Sequence, residues 1–375
     1  MSDGAFSQGM PTRAKDQRLW SGMRPRALAR LLEGHQDRIA PDRKALVRTL
    51  RTGAPVVGAL AGLQALRFDR RVAETSLTAP PVVIIGCHRT GTTHLHKLLS
   101  LLPGWRAPTS YECFSASHFL ISGGWMPRFV APLVAPIRPM DAMPNDLAQP
   151  QEDDFALLSH NAPTPYRRVA FPAAADGGSD LPEDQDIDGD QTMDALDAFW
   201  RALTFRHGER LVLKSPYHTA RTAALRARYP GLLLVHMTRD LGSVGPSTVN
   251  FWRRLEDGHR LGRPETDEAA RAAFVARHFD WLYGRFLEDL PRIDPDAIHH
   301  VRYEDLVARP LDVVRSIWRK ADGADPPDLA AVLRHVEQTR RFPVNTFPPN
   351  PGIYAATMHG AEYQARRQND WKTAS

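Results

Sequence analysis

The sequence predicts an α/β protein: one domain with a central parallel sheet flanked by helices, preceded by a helical N-terminal extension. Two observations lead to this fold class. Short apolar runs such as the β-branched 82–85 and the leucine-rich 232–237 are typical of strands buried on both faces. Helical patterns follow these runs, and repeated strand–helix units predict parallel strands with helices on both sides of the sheet.

The elements follow one another along the chain in that pattern. Residues 1–79 carry leucines at helical spacing and predict the extension, and Pro80–Pro81 ends it, so we expect the main domain to span 80–375. The tail from Phe342 is rich in proline and asparagine and predicts a surface loop. Strands are expected at 82–86, 211–213, 232–237 and 299–303, and helices at 94–102, 268–290 and 311–323.

Composition narrows the classes of function. A hydrophobic fraction of 42% is sufficient for a packed core, and a net charge of +5 favours anionic ligands. No run of basic residues indicates a nucleic-acid partner, and the two cysteines form no disulfide framework. Without a signal-peptide pattern or a long apolar stretch, we expect a cytoplasmic protein with no stable membrane insertion. The sequence leaves a homodimer open.

The strongest functional signal is the segment 86–93, GCHRTGTT, directly after the first strand. Gly86 and Gly91 have the spacing of a Walker A loop, in which backbone N–H groups and a helix N-terminus surround a phosphate. The position of the Walker lysine holds Thr92, which disfavours ATP hydrolysis. Arg89 supplies a cation from inside the loop instead. We therefore predict a phosphate-binding loop.

Basic residues recur at the ends of the predicted strands. Arg89, Lys214 and Arg239 each follow one, and the carboxyl ends of parallel strands share one edge of the sheet. Each cation has an alternative role as the partner of a nearby acid, for example Asp240 for Arg239. Three cations at one edge favour a ligand with several negative charges. Ser247, eight residues after Arg239, would reach the same phosphate as that arginine.

These segments resemble the sulfotransferases that use 3′-phosphoadenosine 5′-phosphosulfate (PAPS). Residues 83–99 are similar to the family's 5′-phosphosulfate loop, and 236–252 to its 3′-phosphate motif. Residues 214–216 resemble the Lys-Ser-Pro of bacterial members, and 302–306 the family's Tyr-Glu-Asp segment. The four motifs occur in the family's order, and the resemblance implies a P-loop-like sulfotransferase domain with PAPS as the co-substrate.

The resemblance also implies roles for single residues. Arg89 would contact the bridging oxygen or sulfonate, Arg239 and Ser247 the 3′-phosphate, and Tyr303 the region of the adenine. The segment 366–372 is similar to a C-terminal basic motif of the family but lacks its glycines, so a loosely ordered tail is the alternative. The 5′-phosphate would be held by four loop residues, Thr90, Gly91, Thr92 and Thr93.

Sulfuryl transfer needs charge stabilisation and a base. Arg89 and Lys214 would stabilise the leaving phosphate, and the scheme requires no metal. An acidic loop at 176–190 resembles the start of a calcium site but lacks the closing glutamate, so no metal is expected. Glu112 is our first candidate for the base, since several relatives carry a glutamate there, and a capping role is its alternative. His218 is the second candidate.

Other features are weaker. His88 lies in the loop and is a further candidate for ligand contact, whereas Cys87 and Cys113 are expected to pack in the core. The apolar segment 119–140 is either a connection or a wall of the acceptor pocket, and its proline and aromatic content favours a small, partly apolar acceptor. Two other functions stay open: a P-loop kinase or nucleotidase acting on a small molecule, and a non-catalytic polyanion-binding protein.

Overall fold

A five-stranded parallel sheet forms the centre of the computed structural model, which confirms the α/β class. The structure describes residues 19–131, 146–172, 186–339, 350, 352–355, 357–369 and 371. The strands are arranged in the order β2-β3-β1-β4-β5. They are β1 (Val82–Ile85), β2 (Trp105–Arg106), β3 (Arg210–Lys214), β4 (Leu233–Thr238) and β5 (Ile298–Arg302).

Helices surround the sheet and account for most of the remaining described chain. The first two, α1 (Pro25–Leu32) and α2 (Lys44–Ala73), form the N-terminal extension. The next helices are α3 (Thr92–Leu99), α4 (Ser110–Phe114), α5 (Phe119–Ser122), α6 (Met126–Val130), α7 (Phe155–His160), α8 (Asp190–His207) and α9 (Thr222–Arg228). The last are α10 (Leu241–His259), α11 (Glu268–Asp289), α12 (Tyr303–Ala308), α13 (Pro310–Asp322), α14 (Ala330–Thr339), α15 (Gly352–Ala355) and α16 (Gly360–Gln368).

Strand β1 lies in the middle of the sheet and is fully buried. Its side chains alternate between the two faces: Val83 and Ile85 join one hydrophobic cluster, while Val82 and Ile84 join the other. At its carboxyl end, Ile84 pairs with Lys214 of β3, and on the other side Ile85 pairs with His236 of β4. The loop after β1 therefore emerges between the ends of both neighbours.

The N-terminal extension shares the larger of the two cores. Leu28 and Leu31 of α1 and Val47 of α2 belong to the same buried cluster as Trp252 of α10. Trp20 donates a hydrogen bond from Nε1 to the His259 carbonyl, 2.6 Å away. The described part of the extension is thus packed on the main body, and the division between residues 79 and 80 stays a prediction.

Two expectations about elements need correction. The edge strand β2 was not predicted, because two residues are too short for a strand pattern to show. The tail predicted as a surface loop contains α15 and α16 in its described part, and Tyr363 of α16 is fully buried. Residues 340–349, most of the acidic loop and residues 132–140 of the apolar segment lie outside the described residues. No helix among those described is long and apolar enough to span a bilayer.

Candidate active site

The loop after β1 has the backbone of a phosphate cradle. Arg89 and Gly91 adopt positive φ values of 68° and 94°, and α3 begins at the next residue. The Gly86 amide donates to Thr219 Oγ1 at 2.8 Å, and Thr90 Oγ1 donates to the Cys87 carbonyl at 2.8 Å. A Cβ at Gly91 would lie only 2.4 Å from the Tyr303 ring. The loop is therefore held from both sides before any ligand binds.

The three strand-end cations all meet this loop. Arg89 Nε donates to Ser247 Oγ at 3.0 Å, and Arg239 Nη1 donates to the Arg89 carbonyl at 3.2 Å. Lys214 Nζ lies 3.5 Å from Thr93 Oγ1 at the start of α3. The structure thus brings together the loop, both strand-end cations of β3 and β4, and the serine predicted to share a phosphate with Arg239.

Asp240 does not have the alternative role of neutralising Arg239. Its carboxylate caps α10, accepting from the Ser243 amide at 3.0 Å. The Arg239 guanidinium instead stacks over the Tyr303 ring, with Cζ 4.1 Å from the ring centroid. The Asp240 cap and the stacking on Tyr303 together orient the Arg239 guanidinium toward the loop.

The C-terminal helix α16 packs against this corner of the site. Tyr363 Oη accepts from the Arg239 amide at 2.9 Å and donates to the Arg239 carbonyl at 3.0 Å. Arg367 forms an ion pair with Glu304 at 2.7 Å, and Trp371 stacks on His300 with ring centroids 5.5 Å apart. The described part of the segment 366–372 is therefore ordered beside Arg239, which contradicts the loosely ordered tail.

A buried carboxylate that the sequence analysis did not single out completes the centre. Glu152 forms an ion pair with Lys214 Nζ and accepts a hydrogen bond from Tyr166 Oη. Glu152 and Lys214 are 9% and 2% exposed, so the pair is largely shielded from water. Because this contact joins residues 62 positions apart, no local sequence pattern predicts it. It places a carboxylate next to the cation that faces Thr93.

Three consecutive acids pair with three basic residues of the β3 region. Glu152 binds Lys214, Asp153 binds His218 at 3.0 Å, and Asp154 binds Arg221 at 2.7 Å. The last two pairs are completely buried. Burial raises the pKa of Asp154 despite the opposing effect of Arg221. These three contacts fix the segment after β3 relative to the sheet edge.

The structure does not support Glu112 as the base. Glu112 is the third residue of a capping box, in which its Oε2 accepts from the Thr109 amide and hydroxyl, each at 2.8 Å. Its Oε1 accepts from His207 at 2.7 Å and lies 3.5 Å from Arg106. Burial alone would raise the pKa of Glu112, but these hydrogen bonds and charges hold it at about 2. So weak a base is a poor acceptor of a proton.

Glu112 should instead contribute to stability. Its pKa is about 2 rather than the ordinary 4.5, so the ionised form stabilises the fold above about pH 4.5 and loses this effect as the pH falls toward 2. We expect Glu112→Gln to lower the free energy of unfolding by about 2 kcal/mol at neutral pH, with a smaller difference in acid. Urea denaturation at several pH values measures this, and a pH-independent difference would contradict it.

His218 is also a structural residue. Its Nε2 lies 3.0 Å from both carboxylate oxygens of Asp153, and Trp200 Nε1 donates to the same carboxylate at 2.9 Å. His218 and Asp153 have no exposed surface. The ring is therefore occupied by a buried partner, and this correction removes the second base candidate.

His88 lies on the other side of the loop, in a cluster of rings. The centroids of Tyr217, Trp252 and His278 are 5.7, 5.6 and 5.6 Å from that of His88. Within the described part of the chain, His88 Nε2, Tyr217 Oη, Trp252 Nε1 and both ring nitrogens of His278 have no hydrogen-bond partner. Burial, with the charges of Lys214 and Arg89, lowers the pKa of His88 to about 3, so the ring is neutral.

Three further buried residues near the site, Cys87, Cys113 and His96, have structural roles. Cys87 and Cys113 are buried, and burial raises the pKa of both thiols, so neither is a ready nucleophile. His96 Nε2 donates to the Val212 carbonyl at 3.0 Å, on the side of α3 that faces the sheet. No group of three or more acidic, histidine or cysteine residues that could hold a metal ion is found among the described residues.

Comparison with known proteins agrees with this geometry. The model of the sulfotransferase family matches residues 80–324. The omega-hydroxy-beta-dihydromenaquinone-9 sulfotransferases of Mycobacterium bovis and Mycobacterium tuberculosis are each 33% identical to the chain over 305 residues, which is 80% of this chain and 78% of the relative. Both the match to the family model and the identity extend over most of the chain.

Solved structures agree on the fold. A sulfotransferase from Mycobacterium avium superimposes with a TM-score of 0.65 at 19% identity, covering 88% of this chain and 86% of that one. A sulfotransferase from Mycobacterium tuberculosis H37Rv superimposes with a TM-score of 0.59 at 18% identity, covering 95% and 93%. On these matches, and on the loop with its converging cations, the chain belongs to the sulfotransferase family and is a sulfotransferase enzyme.

Proposed function

We propose that this enzyme transfers a sulfuryl group from PAPS to a hydroxyl group of a small, partly apolar acceptor. One observation carries the proposal: Arg89, Lys214 and Arg239 converge on a loop whose backbone already has the shape of a phosphate cradle. Three cations around one loop suit a donor with separate 5′- and 3′-phosphate groups. PAPS is also the usual sulfate donor of the family.

Each phosphate has its own set of groups. The 5′-phosphate is assigned to Thr90, Gly91, Thr92 and Thr93, where the loop amides and the N-terminus of α3 favour an anion. The 3′-phosphate is assigned to Arg239 and Ser247, which the structure holds against Arg89. Tyr303, stacked under the Arg239 guanidinium, is assigned to the side of the adenine.

Sulfuryl transfer is an in-line displacement. The sulfur–oxygen bond to the 5′-phosphate breaks as a bond forms between sulfur and the acceptor oxygen, and the phosphate leaves with the electron pair. Arg89 and Lys214 stabilise the charge that develops on the leaving oxygen. The acceptor loses its proton to a base as its oxygen attacks.

Glu152 is the base that we assign. Its carboxylate lies beside Lys214, the cation that we assign to the leaving phosphate. Lys214 and Tyr166 occupy one lone pair on each oxygen, which leaves acceptor capacity for the substrate proton. Glu112 has less, because its Oε2 accepts two hydrogen bonds and its Oε1 accepts one from His207 and is ion-paired with Arg106. Tyr166 and Lys214 then act as positioning residues for Glu152.

Replacing Glu152 with glutamine tests this assignment, with Glu112→Gln as the matched control. We expect Glu152→Gln to lower kcat about a hundredfold or more while binding of the bisphosphate product is retained, because general base catalysis is lost and the shape is kept. Glu112→Gln should retain kcat near the wild-type value. The reverse pattern would return the role of base to Glu112.

The acceptor is assigned from the relatives and from the ring cluster beside the loop. The relatives at 33% identity are named for a hydroxylated dihydromenaquinone, and we infer an isoprenoid or similar apolar alcohol for this chain as well. The ring cluster around His88 supports such an acceptor: its rings suit apolar contact, and its unpartnered polar atoms suit a hydroxyl group.

Calorimetric titration separates this function from its rivals. We expect 3′,5′-adenosine bisphosphate to bind with micromolar affinity and ATP with magnesium to bind much more weakly. Tighter binding of ATP would favour a kinase or nucleotidase, and binding of any polyanion without nucleotide preference would favour a non-catalytic binder. Mass spectrometry of an isoprenoid alcohol incubated with enzyme and PAPS then tests the transfer itself, through the expected sulfate ester.

A further inference from the structure

Helix α2 has an apolar outer face that no described residue covers. Its inner face is buried at Val47, Leu50 and Ala61. On the opposite side, Val56, Leu63 and Leu66 are 59%, 50% and 87% exposed. Because spacings of seven and three residues return to one side of a helix, these three side chains form a stripe along the surface, called here the α2 stripe.

Cations flank the α2 stripe. Arg48 lies 18 positions before Leu66, which is five full helical turns, and Arg70 lies seven positions after Leu63, so both are on the side of the stripe. Arg48 precedes the stripe, and Arg70, which also forms an ion pair with Glu74 at 3.1 Å, follows it. Asp69 is the one acidic residue of the helix, against six basic residues: Lys44, Arg48, Arg51, Arg67, Arg70 and Arg71. This arrangement complements a negatively charged surface.

A second exposed apolar group follows α5, a helix that is bonded to the buried face of α2. Trp125 and Phe129, at the start of and within α6, are 46% and 70% exposed, and their rings contact each other with centroids 6.2 Å apart. The exposed Arg128 lies between them in sequence. The preceding helix α5 is fixed to α2 by the Leu120 amide, which donates to Gln64 Oε1 at 2.8 Å.

Helix α5 is in turn connected to the segment that carries the assigned base. Tyr111 of α4 donates to Ser122 Oγ of α5 at 2.6 Å. The Ser110 amide in turn donates to the Gln149 carbonyl at 2.9 Å, and the Gln151 amide to the Pro108 carbonyl at 2.9 Å, directly before Glu152. The chain that carries the assigned base is thus tied to the segment that carries Trp125.

We propose that the α2 stripe docks the enzyme on an anionic lipid bilayer. Apolar side chains enter the outer part of such a bilayer, and flanking arginines contact the headgroups. Docking lets a lipid acceptor reach the enzyme without crossing bulk water. The reason given for docking rests on the apolar acceptor proposed above, whereas the docking surface itself does not.

Vesicle binding tests the surface without donor or acceptor. In a sedimentation assay, we expect the full-length protein to bind vesicles of phosphatidylcholine mixed with phosphatidylglycerol, and to bind pure phosphatidylcholine more weakly. The double variant Leu63→Glu/Leu66→Glu should lose at least about tenfold in partitioning, because two charges enter the apolar contact. Leu333→Glu, a change of the same kind at the 42% exposed Leu333 of α14, is the matched control and should leave binding unchanged.

Three results would overturn the proposal: no preference for anionic vesicles, equal losses in the double variant and the control, or a solution dimer that the double variant dissociates. The last result, read by light scattering, would make this face a contact between two copies of the chain. Sulfuryl transfer to a short, water-soluble isoprenoid alcohol should be the same in wild type and double variant. Loss of transfer with intact vesicle binding would reject the proposed acceptor and leave the docking surface standing.

Discussion

Replacing Lys214 with methionine is expected to lower kcat about a thousandfold, the largest catalytic loss of any single change proposed for this enzyme. Lys214 is the cation that lies between Thr93 and Glu152. A preorganised, water-excluded donor aimed at developing charge is worth a factor of 10² to 10³ in rate, and here the removal also releases the base. Steady-state kinetics with PAPS and an isoprenoid alcohol measures this loss.

In that experiment, a loss of folding stability must be distinguished from a loss of kcat. Removing Lys214 leaves the Glu152 carboxylate buried without its partner, which typically destabilises a protein by about 3–5 kcal/mol. The double variant Lys214→Met/Glu152→Gln removes the buried charge as well, so it should regain stability without regaining activity. If the single variant folds and keeps more than a tenth of the wild-type kcat, Lys214 has no catalytic role.

The second large effect is expected in nucleotide binding. Arg239→Ala should raise the Kd of 3′,5′-adenosine bisphosphate about a hundredfold, because hydrogen bonds to a charged group contribute about 1.5–3 kcal/mol. Adenosine 5′-monophosphate, which lacks the 3′-phosphate, should bind wild type and variant with similar affinity. Calorimetry with the two nucleotides measures both.

Arg253 offers a control for Arg239. It is an exposed arginine of α10 whose Nη2 donates to Asn250 at 2.7 Å. Arg253→Ala removes the same charge from the helix that follows Arg239 and should leave both affinities unchanged. Equal weakening of the two nucleotides by Arg239→Ala would show that the arginine acts on the loop rather than on the 3′-phosphate.

The sheet and the loop are the parts of this molecule that the sequence predicts best. Strand β1 is four buried, β-branched residues, and the glycines that follow it are needed locally, as the positive φ of Gly91 shows. The expected helices at 268–290 and 311–323 are α11 and α13, with ends shifted by one residue. In these places, local pattern and tertiary structure agree.

The catalytic base shows what a local sequence pattern cannot predict. The sequence Thr109-Ser110-Tyr111-Glu112 carries the signature of a capping box, so the structural role of Glu112 was readable in advance. Glu152, in contrast, gains its place only when Lys214 and Tyr166 approach it from distant parts of the chain. Three acids in a row look like a solvated surface segment until their basic partners are known.

The docking of α16 on Arg239 couples the end of the chain to the nucleotide. Tyr363 holds both the amide and the carbonyl of the residue that we assign to the 3′-phosphate. If the bisphosphate binds more tightly when α16 is docked, then bound bisphosphate must stabilise the docked helix to the same extent. Amide hydrogen exchange in Gly360–Gln368 should therefore slow when the bisphosphate binds, so the final helix acts as an internal reporter of occupancy.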